Sequence, residues 1–241
     1  MRGVRLLRRS PRLLIQFAIF GIGGIMFVQY SYFEGIAAGD AAATTVICST
    51  SPALMILYLA ARRRRLPHMA ELLTVAAAVV GVFLLVTGGD PTRLSVPMDC
   101  VVWSLISGAT FVFAMIYPVQ LLRRFDRFFL LAVCMFFGGT ALLPVTQVIA
   151  DVGSFFTAQT WFDLFVIIGL GTVVAFFAFA LGLRWLSPAE TAITATIEPV
   201  ASVFFAWLIF DTHFAPVQAG GIVLVILAIL MPNLLRKWGY T

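Results

Sequence analysis

The stretch LRWLSPAETAITATIEPVASVFFAWLIFD covers Leu183–Asp211 and is the most informative run in the chain. It is apolar and of membrane length, with one carboxylate, Glu198, near its middle and Pro199 directly after it. A charged side chain at bilayer depth is costly, so it normally faces the bundle interior or a water-filled cavity. Proline loosens the helical turn before it, which a membrane tolerates only where protein or cavity water satisfies the freed backbone groups. The stretch therefore predicts a kinked transmembrane helix that lines an interior.

Polar side chains recur along one side of this predicted helix. Their spacing of three, four and four residues places them on a single helical face. The four residues are Thr191, Thr194, Glu198 and Ser202. We expect this face to line the pathway for substrate or protons. The alternative is a structural helix in which Glu198 is protonated and hydrogen-bonded to a backbone carbonyl group.

The composition places the chain in a membrane. Of its 241 residues, 61% are hydrophobic and 11% are charged, and the mean hydropathy is +1.03. Soluble domains carry about 25% charged residues, so a polytopic membrane protein is indicated. The net charge of +5 does not indicate a nucleic-acid partner, because the arginines form short clusters between apolar runs. The three cysteines are too dispersed for a metal site or a disulfide framework, and we expect neither a metal nor a cofactor.

Eight apolar runs are long enough to cross a bilayer, which takes about 20 residues. The predicted spans are 13–33, 41–61, 69–87, 99–119, 128–149, 161–183, 188–210 and 215–235. The predicted fold class is therefore all-α, a polytopic membrane helix bundle. The basic segment 1–12 ahead of the first span also fits a signal peptide. The first apolar run is longer than a signal-peptide core, so we interpret it as an integral helix.

The arginines predict the orientation, because cytoplasmic loops carry an excess of lysine and arginine. With residue 1 in the cytoplasm, fifteen of the sixteen basic residues fall on that side and only Arg93 falls outside. We therefore predict that both termini are cytoplasmic. The run Arg62–Arg65 is interpreted as an orientation anchor, with a lipid-headgroup contact as the alternative.

An internal repeat relates the two parts of the chain. An offset of 147 residues superimposes identical residues without a gap, among them Gly24 on Gly171, Thr44 on Thr191 and Pro52 on Pro199. The matched helices cross the membrane in opposite directions, so the repeat is inverted, as in many secondary transporters. In such proteins the substrate site lies near the midplane, where paired interrupted helices meet. We predict Pro52 and Pro199 as the hinges of this pair.

The two copies are unequal, with three helices in the first and five in the second. The same offset places the start of a complete first copy about 50 residues before Met1. We favour a truncated or misassigned start over a natural eight-helix form. If the chain is truncated, an inactive fragment or an accessory membrane subunit is the alternative to a working transporter.

These features resemble the EamA-type family of the drug/metabolite transporter superfamily, and the similarity is strongest over residues 182–231. The residues that carry it are Ser187-Pro188, Glu198-Pro199, Asp211, and Gln218 with Gly221. Members of the family typically have ten helices in two inverted five-helix repeats. The resemblance implies a basic cytoplasmic tail over 1–12, an incomplete first repeat over 13–88 and a complete second repeat over 99–235.

Two further side chains are candidates for the pathway. Gln29 is the main polar residue within the first span, and we expect it to face the bundle because buried amides need partners. Helix–helix contact is the alternative to substrate contact there. Trp103 could stack a planar substrate or anchor its helix at the membrane interface. The residues that share its face are Ser107, Thr110 and Tyr117, and weaker polar contacts are expected from Thr45, Cys48 and Ser49.

The leading interpretation is a secondary transporter that moves a small metabolite or drug-like solute across the bacterial inner (plasma) membrane by alternating access. If transport is proton-coupled, Glu198 would bind and release the proton. We predict no enzymatic activity, because the sequence contains no H-E-x-x-H, G-x-S-x-G or Walker A pattern. The expected partners are an unidentified small-molecule substrate and the lipid bilayer, and a homodimer is left open.

Overall fold

A computed structural model describes residues 11–90, 92–144, 157–175, 178, 194 and 197–237. Over these residues the chain is helical and contains no strand, which confirms the predicted all-α class. Three helical stretches are long and apolar enough to cross a membrane: Pro11–Ala38, Ala41–Arg63 and Met98–Leu122. Five shorter apolar helices overlap the remaining predicted spans: Glu71–Thr87, Phe128–Leu142, Ala158–Gly171, Ile197–Phe210 and Pro216–Met231.

The first span is one continuous helix, and its middle part is a π-helix, which is wider than an α-helix. It comprises α1 (Pro11–Ile19), a π-helical stretch (Phe20–Met26) and α2 (Phe27–Ala38). The widened stretch coincides with a glycine-rich run, and π-helical turns are often found at functional sites. Asp40 then caps the next helix, because its carboxylate accepts a 2.8 Å hydrogen bond from the backbone N–H of Ala43.

The remaining helices follow with short connections. They are α3 (Ala41–Cys48), α4 (Ser51–Arg63), α5 (Met69–Thr87), α6 (Met98–Ile116), α7 (Val119–Leu122), α8 (Arg127–Leu142), α9 (Ala158–Phe165), α10 (Ile197–Phe210) and α11 (Pro216–Lys237). A second π-helical stretch, Val166–Val174, continues α9. The turn after α5 uses Gly88 and Gly89, whose φ angles of 60° and 93° suit glycine. Beyond it, the hydroxyl and then the backbone N–H of Thr92 hold the pKa of Asp90 below its usual value.

Two large buried clusters and a small alanine cluster hold the described helices together. One large cluster joins α3, α5, α6 and α11 through small and branched side chains, including Ile47, Leu85, Cys100 and Val225. The other large cluster joins the first span to α7 and α8 through aromatic rings, and the centroids of Phe17 and Phe125 lie 5.1 Å apart, edge to face. The outer surface is apolar as well, as lipid contact requires.

Candidate functional site

Glu198 lies in the first described turn of α10, and its side chain is exposed, whereas the following Pro199 is buried. Thr194 is helical and exposed. Thr191 lies outside the described residues, as do most of the residues before Ile197 that would reveal a bend at Pro199. The roles of these residues in a substrate or proton pathway therefore stay predictions, as does the hinge at Pro199.

Ser202 links α10 to the beginning of the second span. Its hydroxyl donates a long hydrogen bond, 3.4 Å, to the carbonyl oxygen of Ala41. The same carbonyl oxygen accepts a 2.7 Å hydrogen bond from the hydroxyl of Thr45. One backbone group thus joins polar side chains from α3 and α10, which are far apart in the sequence.

Tyr32 of α2 extends this chain of hydrogen bonds. Its hydroxyl lies 2.8 Å from the hydroxyl of Thr45. Because Thr45 gives its single proton to Ala41, Tyr32 is the donor in this pair. Glu198 lies one helical turn before Ser202 on α10, so both side chains are on the same face of that helix.

We call the five residues of this region the polar cluster: Tyr32, Thr45, Cys48, Glu198 and Ser202. They come from three helices, α2, α3 and α10. The cluster presents hydroxyls, a thiol and one titratable carboxylate to a common region. Such a set can donate and accept hydrogen bonds to a small solute, and the exposed carboxylate can exchange a proton with water.

Helix α6 is hydrogen-bonded to α2 and α3, which carry three residues of the polar cluster. The thiol of Cys48 donates to the carbonyl oxygen of Ser104 at 3.3 Å. The hydroxyl of Ser107 donates to the carbonyl oxygen of Val28 at 3.0 Å. These two bonds tie α3 and α2 to the same helix, and they restrict the positions from which Tyr32 and Thr45 project.

The second span is interrupted beside Pro52. Helix α3 ends at Cys48 and α4 begins at Ser51, and the hydroxyl of Thr50 donates to the carbonyl oxygen of Ile47 at 2.7 Å in the turn between them. Pro52 is the second residue of α4, where its missing N–H costs no helical hydrogen bond. The helix break expected at this position is therefore present, while a hinge motion there stays a prediction.

Metal binding has no candidate within the described ranges. No group of three or more histidine, cysteine, aspartate or glutamate side chains lies close enough together there to hold an ion. The polar cluster contains one carboxylate and one thiol only.

A comparison with protein families then assigns the chain. The model of the EamA-like transporter family matches residues 2–87 and again residues 98–234. The chain belongs to the EamA-like transporter family. It is therefore a multi-pass membrane transporter, as its resemblance and its apolar helices indicated.

A relative agrees with this assignment, and a solved structure shares the fold. The chain is 26% identical over 218 residues to a protein of Salmonella typhimurium named "Uncharacterized inner membrane transporter YicL", and the match covers 90% of this chain and 72% of that protein. A crystal structure of another protein is similar in fold, with a TM-score of 0.57. The match covers 100% of this chain and 82% of the chain of that protein. Its sequence identity is 19%, so that likeness shows the fold alone.

In this EamA-like transporter, the Gln218 and Gly221 motif fastens α11 to α5. The side-chain oxygen of Gln218 accepts a 2.9 Å hydrogen bond from the N–H of Ala215, and its amide nitrogen donates to the carbonyl oxygen of Leu85 at 3.1 Å. A β-carbon at Gly221 would lie 2.5 Å from the carbonyl oxygen of Gly81. Only glycine permits this approach, so the motif is a packing device.

The two remaining candidates of this EamA-like transporter lie outside the polar cluster. Gln29 is exposed, and the expectation that it faces the bundle interior stays a prediction. The neighbouring Ser31 is fully buried and takes the side of α2 that faces the bundle; two residues of helix turn Gln29 about 200° away from it. Trp103 is half-buried, and its ring meets Tyr30 edge to face at 5.8 Å. A pathway role for either residue stays a prediction.

The sequence interpretation ranked some members of the polar cluster too low. The sequence interpretation assigned no role to Tyr32, and it expected only weaker polar contacts from Thr45 and Cys48. A usable signal existed in α6, where Cys100, Ser104 and Ser107 repeat at spacings of four and three in an apolar span. That face packs against α2 and α3, and it identifies which sides of those helices point inward.

Proposed function

We propose that the chain is a secondary transporter that moves a small solute by alternating access, with Glu198 as a proton-coupling carboxylate. The observation that carries this proposal is that Glu198 lies one helical turn before Ser202, whose hydroxyl shares the carbonyl oxygen of Ala41 with Thr45. A titratable group meets polar side chains from three helices there. Intramembrane carboxylates of this kind mark substrate and proton pathways in transporters.

The π-helical stretches support the inverted repeat on which alternating access depends. The stretch Phe20–Met26 lies in the first span and the stretch Val166–Val174 lies in the sixth. An offset of 147 residues places the first stretch inside the second. The same local widening thus recurs at equivalent positions of the two proposed halves.

The interface of α5 and α11 supports the repeat as well. Under the same offset, Gly81 corresponds to Ala228 and Thr74 corresponds to Gly221. Gly81 and Gly221 are in close contact, and Thr74 and Ala228 line one narrow gap together. The offset of 147 residues maps the Gly81–Gly221 pair onto the Ala228–Thr74 pair. A twofold axis between α5 and α11 relates two contacts in this way.

The orientation is proposed from the ends of the helices. The beginning of the first span, the end of α4 and the segment after α7 border one shared cavity, so these ends lie at the same end of the bundle. That end carries Arg62, Arg123 and Arg124. We assign it to the cytoplasm, because arginine is enriched in cytoplasmic loops.

A proton-flux experiment tests the role of Glu198. The purified protein is first screened for solutes that raise its thermal unfolding temperature, and a solute found in this way is used in proteoliposomes with a pH-sensitive dye inside. We expect solute addition to drive proton movement in the wild type and not in Glu198→Gln. The matched control is Asp211→Asn, which neutralises an exposed carboxylate at the other end of α10 and should retain the flux.

The outcome separates proton coupling from the wider proposal. Unchanged proton flux and an unchanged pH dependence of uptake in Glu198→Gln would exclude coupling through this residue. Solute uptake without proton movement in the wild type would show that the protein is a uniporter.

A further inference from the structure

A second region, separate from the polar cluster, has the form of a binding site. A cavity of about 860 Å³ opens between α1, α4 and the segment that contains α6 and α7. Its walls extend from Gln16 and Tyr58 to the residues between Ala109 and Arg124. Small-molecule pockets in proteins have volumes of about 300–1,000 Å³. The cavity is therefore large enough for a metabolite, and it shares no residue with the polar cluster.

Three guanidinium groups line this cavity from two separate segments. Arg62 comes from the end of α4, and Arg123 and Arg124 follow α7. All three side chains are exposed, and Arg62 donates a 3.1 Å hydrogen bond to the hydroxyl of Tyr58. The convergence of segments from different parts of the chain means that the fold, and not the sequence alone, brings these charges together.

These arginines are not neutralised within the described part of the chain. The ion pairs found there are Arg65 with Glu71 and His213 with Asp211. The acid nearest in sequence to Arg123 and Arg124 is Asp126, and one of its oxygens accepts hydrogen bonds from two backbone N–H groups at the start of α8. The cavity wall therefore keeps an excess of positive charge.

The rest of the wall is amphipathic. Phe113 and Tyr117 line one side with their ring centroids 4.9 Å apart, and Gln16 and Gln120 add amide groups. Guanidinium groups bind carboxylates and phosphates through paired hydrogen bonds, and aromatic rings bind apolar or planar groups. The ligand chemistry that suits this wall is an organic anion with an apolar part.

The inner end of the cavity lies near the polar cluster. Ala109 lines the cavity, and the preceding Gly108 lies against Cys48, since a β-carbon at Gly108 would be 3.5 Å from the Cys48 carbonyl oxygen. From Ala109 to Tyr117 the helix rises about 12 Å. The cavity thus reaches from the arginine-bearing end of the bundle to the neighbourhood of the cluster.

We infer that this cavity binds the phosphate or carboxylate group of a small organic anion. Such a group could belong to a soluble solute or to the headgroup of an anionic lipid. Its use as the entrance for a transported anion rests on the proposed function, whereas anion binding itself does not. Binding is therefore measured without transport.

Isothermal titration of the full chain in nanodiscs of neutral phosphatidylcholine tests the site, with phenyl phosphate as the probe and benzamide as its uncharged counterpart. We expect phenyl phosphate to bind more tightly than benzamide. In Arg123→Gln/Arg124→Gln its affinity should fall about tenfold or more, because each lost charge-assisted hydrogen bond weakens binding by about that factor. Arg62→Gln should weaken binding as well, and it carries the test if the double variant does not fold.

The matched control is Arg63→Gln/Arg64→Gln, which removes the same charge from exposed arginines that do not line the cavity. Its affinity should stay within about twofold of the wild type, since only screened long-range attraction is lost. The inference is overturned if the wild type does not bind phenyl phosphate, if benzamide binds equally well, or if both double variants are weakened equally.

A second set of nanodiscs that contain phosphatidylglycerol distinguishes the two sources of the anion. If the lipid weakens phenyl phosphate binding to the wild type, its headgroup occupies the cavity. If the affinity is unchanged, the site takes a soluble anion. Either result keeps the anion site, and neither depends on whether Glu198 couples transport to protons.

Discussion

The hydroxyl of Tyr32 connects the carboxylate side of the polar cluster to the backbone of α3. It donates to Thr45, which shares the carbonyl oxygen of Ala41 with Ser202, one helical turn after Glu198. Removing it in Tyr32→Phe should cost little stability, about 0.6 kcal/mol for a typical hydrogen bond between membrane helices. The pH dependence of solute uptake should change, because Glu198 loses a polar neighbour. Uptake at a series of external pH values, together with thermal unfolding, checks both expectations.

Tyr30→Phe is the matched control for that change. Tyr30 lies on the same helix, and its ring packs edge to face on Trp103, which is not a cluster residue. Removal of the Tyr30 hydroxyl should leave the pH profile as in the wild type. Equal pH profiles for all three proteins would show that Tyr32 has no part in the pathway.

Individual residues were only partly predictable from the sequence. Glu198 stands out because a carboxylate inside an apolar run is conspicuous. The orientation of Gln29 stays a prediction, because a lone amide gives no sign of which face of its helix packs. In α2 that choice is made by small residues, since Ser31 and Gly35 are buried against α6. Close packing of small residues drives helix association in membranes.

At the level of helices, the contact between α5 and α11 depends on glycine. A β-carbon at Gly221 would lie 2.5 Å from the carbonyl oxygen of Gly81 and 2.8 Å from the backbone nitrogen of Leu85. Backbone atoms cannot yield as side chains do, so Gly221→Ala should destabilise the protein by about 1–3 kcal/mol. A lowered thermal unfolding temperature in detergent measures this.

The adjacent Gly220 provides the control in the same helix. A β-carbon there would meet nothing within 4 Å. Gly220→Ala should be neutral or stabilising by up to about 1 kcal/mol, because alanine has the higher helix propensity. A similar loss of stability in both variants would mean that the interface is not packed as described.

The break between α3 and α4 gives a second prediction for this level. In Pro52→Ala the new N–H allows the two helices to join, which stiffens the proposed hinge. We expect slower solute uptake with little change in thermal stability. Pro97→Ala, at the exposed start of α6, is the control and should transport normally. Normal uptake by Pro52→Ala would remove the break from the mechanism.

Helix positions were more predictable than single residues, because membrane thickness imposes a length that an apolar run must match. The predicted span 69–87 coincides with Met69–Thr87, and the first span extends further, over Pro11–Ala38. The π-helical widening at Phe20–Met26 could not be foreseen. It depends on how closely α8 approaches, and a β-carbon at Gly138 would lie 2.8 Å from the Gly21 carbonyl oxygen.

For the whole molecule, fold and orientation follow from different forces. Apolar burial places the helices in the bilayer but does not distinguish its two sides. The distribution of arginine distinguishes the two sides, because arginine is more frequent in cytoplasmic loops. The same arginines line the cavity beside α4 and α7, so one set of charges is proposed to orient the chain and to attract an anion.

The orientation of the molecule can be tested by labelling engineered cysteines with a membrane-impermeant maleimide in intact cells. Leu94→Cys lies in the connection between α5 and α6 and Arg64→Cys lies after α4; both positions are exposed. We expect Leu94→Cys to react in intact cells and Arg64→Cys to react only after permeabilisation. The unsubstituted chain is the control, since its Cys100 and Cys134 are buried and Cys48 is partly buried. The reverse pattern would place the arginine-bearing cavity outside the cell, and an anion bound there would then be an extracellular solute.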